Sequence, residues 1–268
     1  MSGVEQGSDR LTIDRRQPRR AGPLVLEFIG LPGAGKTTIA SRLVSELRAR
    51  GLTCTERRGR DARAGRALNG MRRAAFLVRN PALLTASLRF AARVRPISLG
   101  RLARGMKLST WARQLRSYAV SDADVVVLDQ GPVQDAWSVT VPANAWDEAA
   151  MRAIVGPLVQ TTGVSRAFVY VTVDIETALQ RLRQRRGVSS RFDHLSADVA
   201  RAWLVRYERS LSSIAQYAII AADAPVVRVD GNTPIEEQCR QVADFVDAAR
   251  TGSTPWLAPV IGAGAEGS

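Results

Sequence analysis

Leu24-Val-Leu-Glu-Phe-Ile-Gly-Leu-Pro-Gly-Ala-Gly-Lys-Thr-Thr38 is a short apolar run, then G-x-x-x-x-G-K-T, then the start of a helical pattern reaching Arg50. Strand, glycine loop and helix in that order form a cradle for an anion. Gly30, Gly33 and Gly35 carry no Cβ, so the backbone can close on a bound group and take positive φ. The loop runs through Gly30, Leu31, Pro32, Gly33, Ala34, Gly35, Lys36, Thr37 and Thr38. Its N–H groups and the positive end of the following helix face phosphates. In this pattern Lys36 reaches the terminal phosphates of a triphosphate and the Thr37 hydroxyl holds Mg²⁺. The alternative, a glycine-rich turn that binds nothing, is disfavoured by the flanking strand and helix.

The 268 residues suffice for one α/β core with loose ends. No apolar stretch approaches the ~18–20 residues of a membrane span, so no membrane partner is expected. Cys54 and Cys239 stand alone, without metal or redox spacing, which points to reduced thiols and a cytoplasmic location. His194 is the only histidine, which excludes a multi-histidine metal site. The formal charge of +13 is concentrated between Glu56 and Tyr118, where sixteen Arg or Lys face two acidic residues. Such a field favours anionic partners, namely phosphorylated metabolites, nucleic acid or acidic lipid. Arginine standing in for lysine on solvated helix faces accounts for it equally well.

Along the chain, residues 1–22 read as a disordered basic tail, 23–250 as one domain, and 251–268 as a flexible tail. Within the domain, a basic helical insert covers about 57–120 and an arginine-bearing lid about 185–194. A second strand is expected over Leu52–Thr55, with Glu56 opening the charged loop after it. Val125-Val-Val-Leu-Asp129 reads as a central parallel strand ending in an acid, and Gln130-Gly131-Pro132 as a turn. Further strands are expected over Ala167–Val173 and Val226–Val229. Helices should open at Asn144, near Ile175, at Ser196 (through Tyr217) and at a Thr233-Pro-Ile-Glu236 capping box. In the insert, Phe76, Leu83, Leu84, Leu88 and Phe90 supply a packing face. The alternation of strands and helices predicts a doubly wound parallel α/β sheet, with ligands beyond the carboxyl ends of its strands. That rule gathers the glycine loop, Glu56 and Asp129 on one rim.

The loop, the strand ending in Asp129, and Val173-Asp-Ile-Glu-Thr-Ala-Leu-Gln-Arg-Leu-Arg-Gln-Arg-Arg186 together resemble the P-loop nucleoside and nucleotide kinases, thymidylate-kinase-like branch. The resemblance spans roughly Leu24–Val246. It implies ATP and Mg²⁺ as cofactors, Thr37 and Asp129 at the metal, and Arg181, Arg185 and Arg191 as lid contacts to ATP or the transferring group. Val229-Asp230-Gly231-Asn232 is similar to the adenine-side loop of that branch. Glu56 matches loosely the acid placed near the acceptor, where it could take a hydroxyl proton. The chain departs from the branch at Gln130, where an arginine usually follows the acid, and at Arg57-Arg58-Gly59, where Pro-Gly is typical. Asp135 and Trp137 are candidates for lining an acceptor pocket.

The expected activity is transfer of the γ-phosphoryl group to a small-molecule acceptor: a nucleotide, a nucleoside or a similar anionic metabolite. Two further readings stand beside it. One is an antibiotic or sugar phosphotransferase on the same fold. The other is a nucleic-acid-associated ATPase in which Trp111 or Tyr118 stacks on bases. A guanine-reading N-K-x-D is absent, which removes a GTP switch. The sequence leaves room for a homodimer.

Overall fold

The computed structural model describes residues 22–57, 78–93, 108, 111–140, 148–160, 164–185, 192 and 194–253. Residues 1–21 and 254–268, most of the basic insert, Phe76, Asn144 and Arg191 lie outside them. Five strands form one parallel sheet: β1 (Leu24–Gly30), β2 (Cys54–Arg57), β3 (Val125–Leu128), β4 (Ser165–Thr172) and β5 (Val226–Asp230). Their order is β2-β3-β1-β4-β5, with β1 paired to β3 on one side and β4 on the other. β1 and β3 are buried along their whole length, as continuous apolar runs flanked on both sides require. β5 alternates buried and exposed residues, as an edge strand does.

Helices flank the sheet. α1 (Lys36–Ala49) packs against α7 (Ile235–Thr251). A second group comprises α3 (Pro132–Thr140), α4 (Glu148–Gln160) and α6 (Ala197–Ala222), with α2 (Pro81–Arg93) against α4 and α5 (Ile175–Gln184) against α6. Residues 111–119 are helical as well and bury Trp111, Leu115 and Tyr118. The doubly wound α/β architecture expected from the sequence is the architecture observed.

Several local expectations are corrected. β2 starts two residues late, because the Thr53 N–H and hydroxyl both bond to Asp124 Oδ2 (2.9 and 2.7 Å) before pairing begins at Cys54–Val125. Glu56 and Arg57 therefore finish the strand and do not open a loop. Gln130-Gly131-Pro132 is the entry to helix α3, with Pro132 in the first position, where a missing N–H costs nothing. No capping box forms at α7: the Thr233 hydroxyl donates to the Asp230 carbonyl (2.9 Å) and Glu236 pairs with Arg42. Ser196 makes no side-chain cap to α6, which runs past Tyr217 to Ala222. On α2, Phe90 is buried and Leu84 packs on the core, but Leu88 is exposed.

One buried acid has no counterpart in the apolar pattern around it. Glu27, in the middle of β1, is 1% exposed. Its Oε1 accepts the N–H groups of Val133 (2.8 Å) and Gln134 (3.3 Å), the first free donors of α3. The buried guanidinium of Arg166 on β4 stands 3.9 Å from Oε2 and donates to the Leu158 carbonyl. Burial pushes the Glu27 pKa up, opposed by Arg166 and the two N–H groups.

Candidate functional site

The glycine loop is closely packed by its neighbours. Gly33 and Gly35 have φ of +87° and +93°, conformations that favour glycine. A Cβ on Gly33 would lie 2.5 Å from the Ala178 carbonyl of α5. The turn after β5 abuts the loop from the other side: a Cβ on Gly231 would lie 3.0 Å from the Ala34 carbonyl. The stretch similar to an adenine-side loop is thus in contact with the phosphate loop.

Lys36 and Thr37 open α1, which has Gly35 at its cap. Lys36 Nζ donates to the carbonyls of Gly30 (2.7 Å) and Leu31 (2.8 Å), so the lysine rests across its own loop. Burial, with a contribution from the nearby Arg185 charge, lowers its pKa to about 7, and Asp129 acts in the opposite sense. The Thr37 hydroxyl donates to Asp129 Oδ2 at 3.3 Å. This contact exists because β3 pairs directly with β1, which brings the end of β3 beside the loop. A hydroxyl and a carboxylate side by side are hard oxygen donors. Mg²⁺ is commonly held by one or two such groups plus phosphate oxygens and waters. Among the described residues no cluster of three His, Cys, Asp or Glu could hold a metal without such help.

The remaining candidates divide. Arg181 on α5 donates to the Gly231 carbonyl (2.9 Å), and its Nη1 lies 3.9 Å from where a Gly35 Cβ would be. It clasps the two loops together. Arg185, just past α5, is exposed and close enough for its charge to act on Lys36. Arg191 lies outside the described residues. Glu56 Oε1 accepts the Ser41 hydroxyl (3.0 Å), and Ser41 is one turn beyond Thr37 on the same helix face.

Trp137 belongs to the core. It is 3% exposed, donates to Ser210 Oγ (3.0 Å) and meets Tyr207 edge-on. Asp135 is buried too, accepting from Gln130 Nε2 (2.7 Å) and Trp111 Nε1 (2.9 Å). Trp111 and Tyr118 are both buried, so neither offers a face for stacking on bases.

Gln134 and Glu27 had no part in the sequence-based site. Gln134 Oε1 accepts the Gly30 N–H (3.1 Å), a bond to the first glycine of the loop. The available signal was an acid inside an otherwise apolar central strand, which demands a buried partner.

A family model described as an AAA domain matches residues 25–210. No curated protein matches the sequence. Among solved structures, deoxyadenosine kinase from M. mycoides with bound dATP is similar with 14% identity and a TM-score of 0.49. The match covers 83% of this chain and 99% of that one. A protein designated APE1195 is similar with 16% identity and a TM-score of 0.39, covering 86% and 98%.

Proposed function

The chain belongs to the AAA domain family of P-loop NTPases, and on that footing we propose that it is an ATP-dependent phosphotransferase acting on a small-molecule acceptor. The acceptor class is a nucleotide, nucleoside or similarly sized anionic metabolite. The observation that carries this reading is the Thr37–Asp129 contact beside Lys36 in the glycine loop. Lys36 would leave its resting carbonyls for the terminal phosphate, and Thr37 and Asp129 would hold Mg²⁺. The metal supplies charge neutralisation at the phosphates when bound. Arg185 and Arg191 would add positive charge around the transferring group. Arg181 would keep the base-side turn against the loop. Glu56 would orient an acceptor hydroxyl and take its proton.

Two phosphotransferase variants share this support: a metabolic kinase and an antibiotic- or sugar-modifying enzyme. The nucleic-acid ATPase is less supported, since Trp111 and Tyr118 are buried. A cytoplasmic setting fits the two free thiols, Cys54 and Cys239. No helix among the described residues is long and apolar enough to cross a membrane. The deciding experiment screens nucleosides, nucleotides and extract metabolites for acceptor-dependent ADP release. Hydrolysis that responds to polynucleotide and to no small acceptor would overturn the proposal.

Asp129→Asn should raise the Mg²⁺ concentration needed for half-maximal activity by about tenfold or more, in the range for losing a partner of a bound metal. An unchanged Mg²⁺ titration would remove Asp129 from the metal site.

Nucleotide binding should also move protons. With its pKa near 7, Lys36 is mostly neutral at pH 8. A polyphosphate against it favours the charged form, so binding at pH 8 takes up close to one proton. By the same linkage, affinity falls as pH rises above 7. Calorimetry in buffers of different ionisation enthalpy measures the uptake, and a buffer-independent heat at pH 8 would contradict it.

A further inference from the structure

The loop's first glycine is gripped from within the core. Its N–H is bonded to Gln134 Oε1 and its carbonyl to Lys36 Nζ. A Cβ at this position would also lie 2.6 Å from the Val171 carbonyl. Gln134 sits in the first turn of α3, and its own N–H is one of the two that Glu27 accepts. Glu27 Oε2 has no hydrogen-bond partner among the described residues, so the carboxylate's directed bonds run to α3. Gly131 leaves no slack in this docking: a Cβ there would lie 2.3 Å from Glu27 Cδ.

We propose that Glu27 and Gln134 are positioning residues for the phosphate loop. Glu27, three residues before Gly30, anchors the start of α3, and α3 returns the Gln134 side-chain oxygen to the Gly30 N–H. Gly30, whose carbonyl takes Lys36's resting contact, is thereby held from below through the peptide that precedes it. The same helical turn places Asp135 on Gln130, the residue after Asp129. Both flanks of the proposed Mg²⁺–phosphate site are therefore indexed to one buried helix end. The effect on nucleotide affinity rests on the proposed ATP binding; the effect on Gly30 does not.

The test compares Gln134→Met, which keeps length and removes the acceptor, with Gln134→Glu, which keeps an oxygen at the same reach. Two quantities are measured on the intact chain: hydrogen exchange of the Gly30 amide by NMR, and MgATP affinity by calorimetry. In Gln134→Met, Gly30 exchange should speed up and affinity should fall, each roughly tenfold, as expected for a buried donor losing its partner. Amides in the middle of β4 should keep their protection. Gln134→Glu should keep Gly30 exchange within about threefold of the native protein, since a carboxyl oxygen accepts the same N–H, while its added buried negative charge lowers MgATP affinity by itself. Unchanged Gly30 exchange in Gln134→Met would overturn the inference, as would an equal loss of Gly30 protection in both variants. If the native protein itself fails to bind MgATP, the ATP reading falls, and Gly30 exchange alone still decides the positioning role.

Discussion

Lys36→Ala should yield a folded protein whose kcat/KM for phosphoryl transfer is lower by roughly 10²–10³, the usual loss when a pre-set charge-stabilising donor is removed. The resting lysine donates to the carbonyls of two buried residues, Gly30 and Leu31, and losing those bonds is offset by no longer holding a desolvated ammonium there. Its charge does not stabilise the fold. The folded-state pKa is lowered from 10.5 to about 7, so between those values the unfolded chain binds the extra proton. Through that window stability rises with pH. Removing the lysine removes this slope, and the melting temperature near pH 7 should hold or increase. Turnover assays beside a thermal melt check both halves. Substantial residual transfer in a clean preparation would defeat the assignment of the loop.

Gly131→Ala should be strongly destabilising. The added methyl group would meet Glu27 Cδ at 2.3 Å and its Cγ and Oε1 at 2.6 Å. Glu27 cannot step aside, since it lies in the central strand and is bonded to two backbone donors of α3. Overpacking at such a site costs about 3 kcal/mol, the upper end of the ordinary range. In a chain of this size that corresponds to a melting point lower by roughly 6–12 °C. A double-mutant cycle identifies the cause: Gly131→Ala with Glu27→Ala should lose less than the two single changes summed. Strict additivity, or an unchanged melt for Gly131→Ala alone, would mean that the carboxyl has room to move.

The sequence carried the parts of this protein that are written locally. The glycine loop, the acid at the end of β3 and the all-parallel sheet follow from residue types at short spacing, and each is where the pattern predicts. Tertiary partners were less legible. Nothing near Thr53 announces that Asp124 will capture it and delay β2, because the two are 71 residues apart. The Thr233 hydroxyl had two acceptable uses, as helix cap or as donor to Asp230, and neighbouring sequence does not decide between them. At Gln130-Gly131-Pro132 the turn reading neglected the preference of proline for the first helical position, so all of α3 was missed. That omission also hid Gln134, and with it the role of Glu27, whose hydrogen bonds span more than a hundred residues.

The strand order has an engineering corollary. The loop and Asp129 spring from adjoining strands at the middle of the sheet, whereas the arginine-rich segment is spliced into the crossover joining β2 to β3. That crossover is no detachable appendage: it puts Phe90, Leu108, Trp111 and Leu115 into the core, and Trp111 bonds to Asp135 in the first turn of α3. Any replacement for it must refill that apolar space and restore that bond before the phosphate platform can stay as it is.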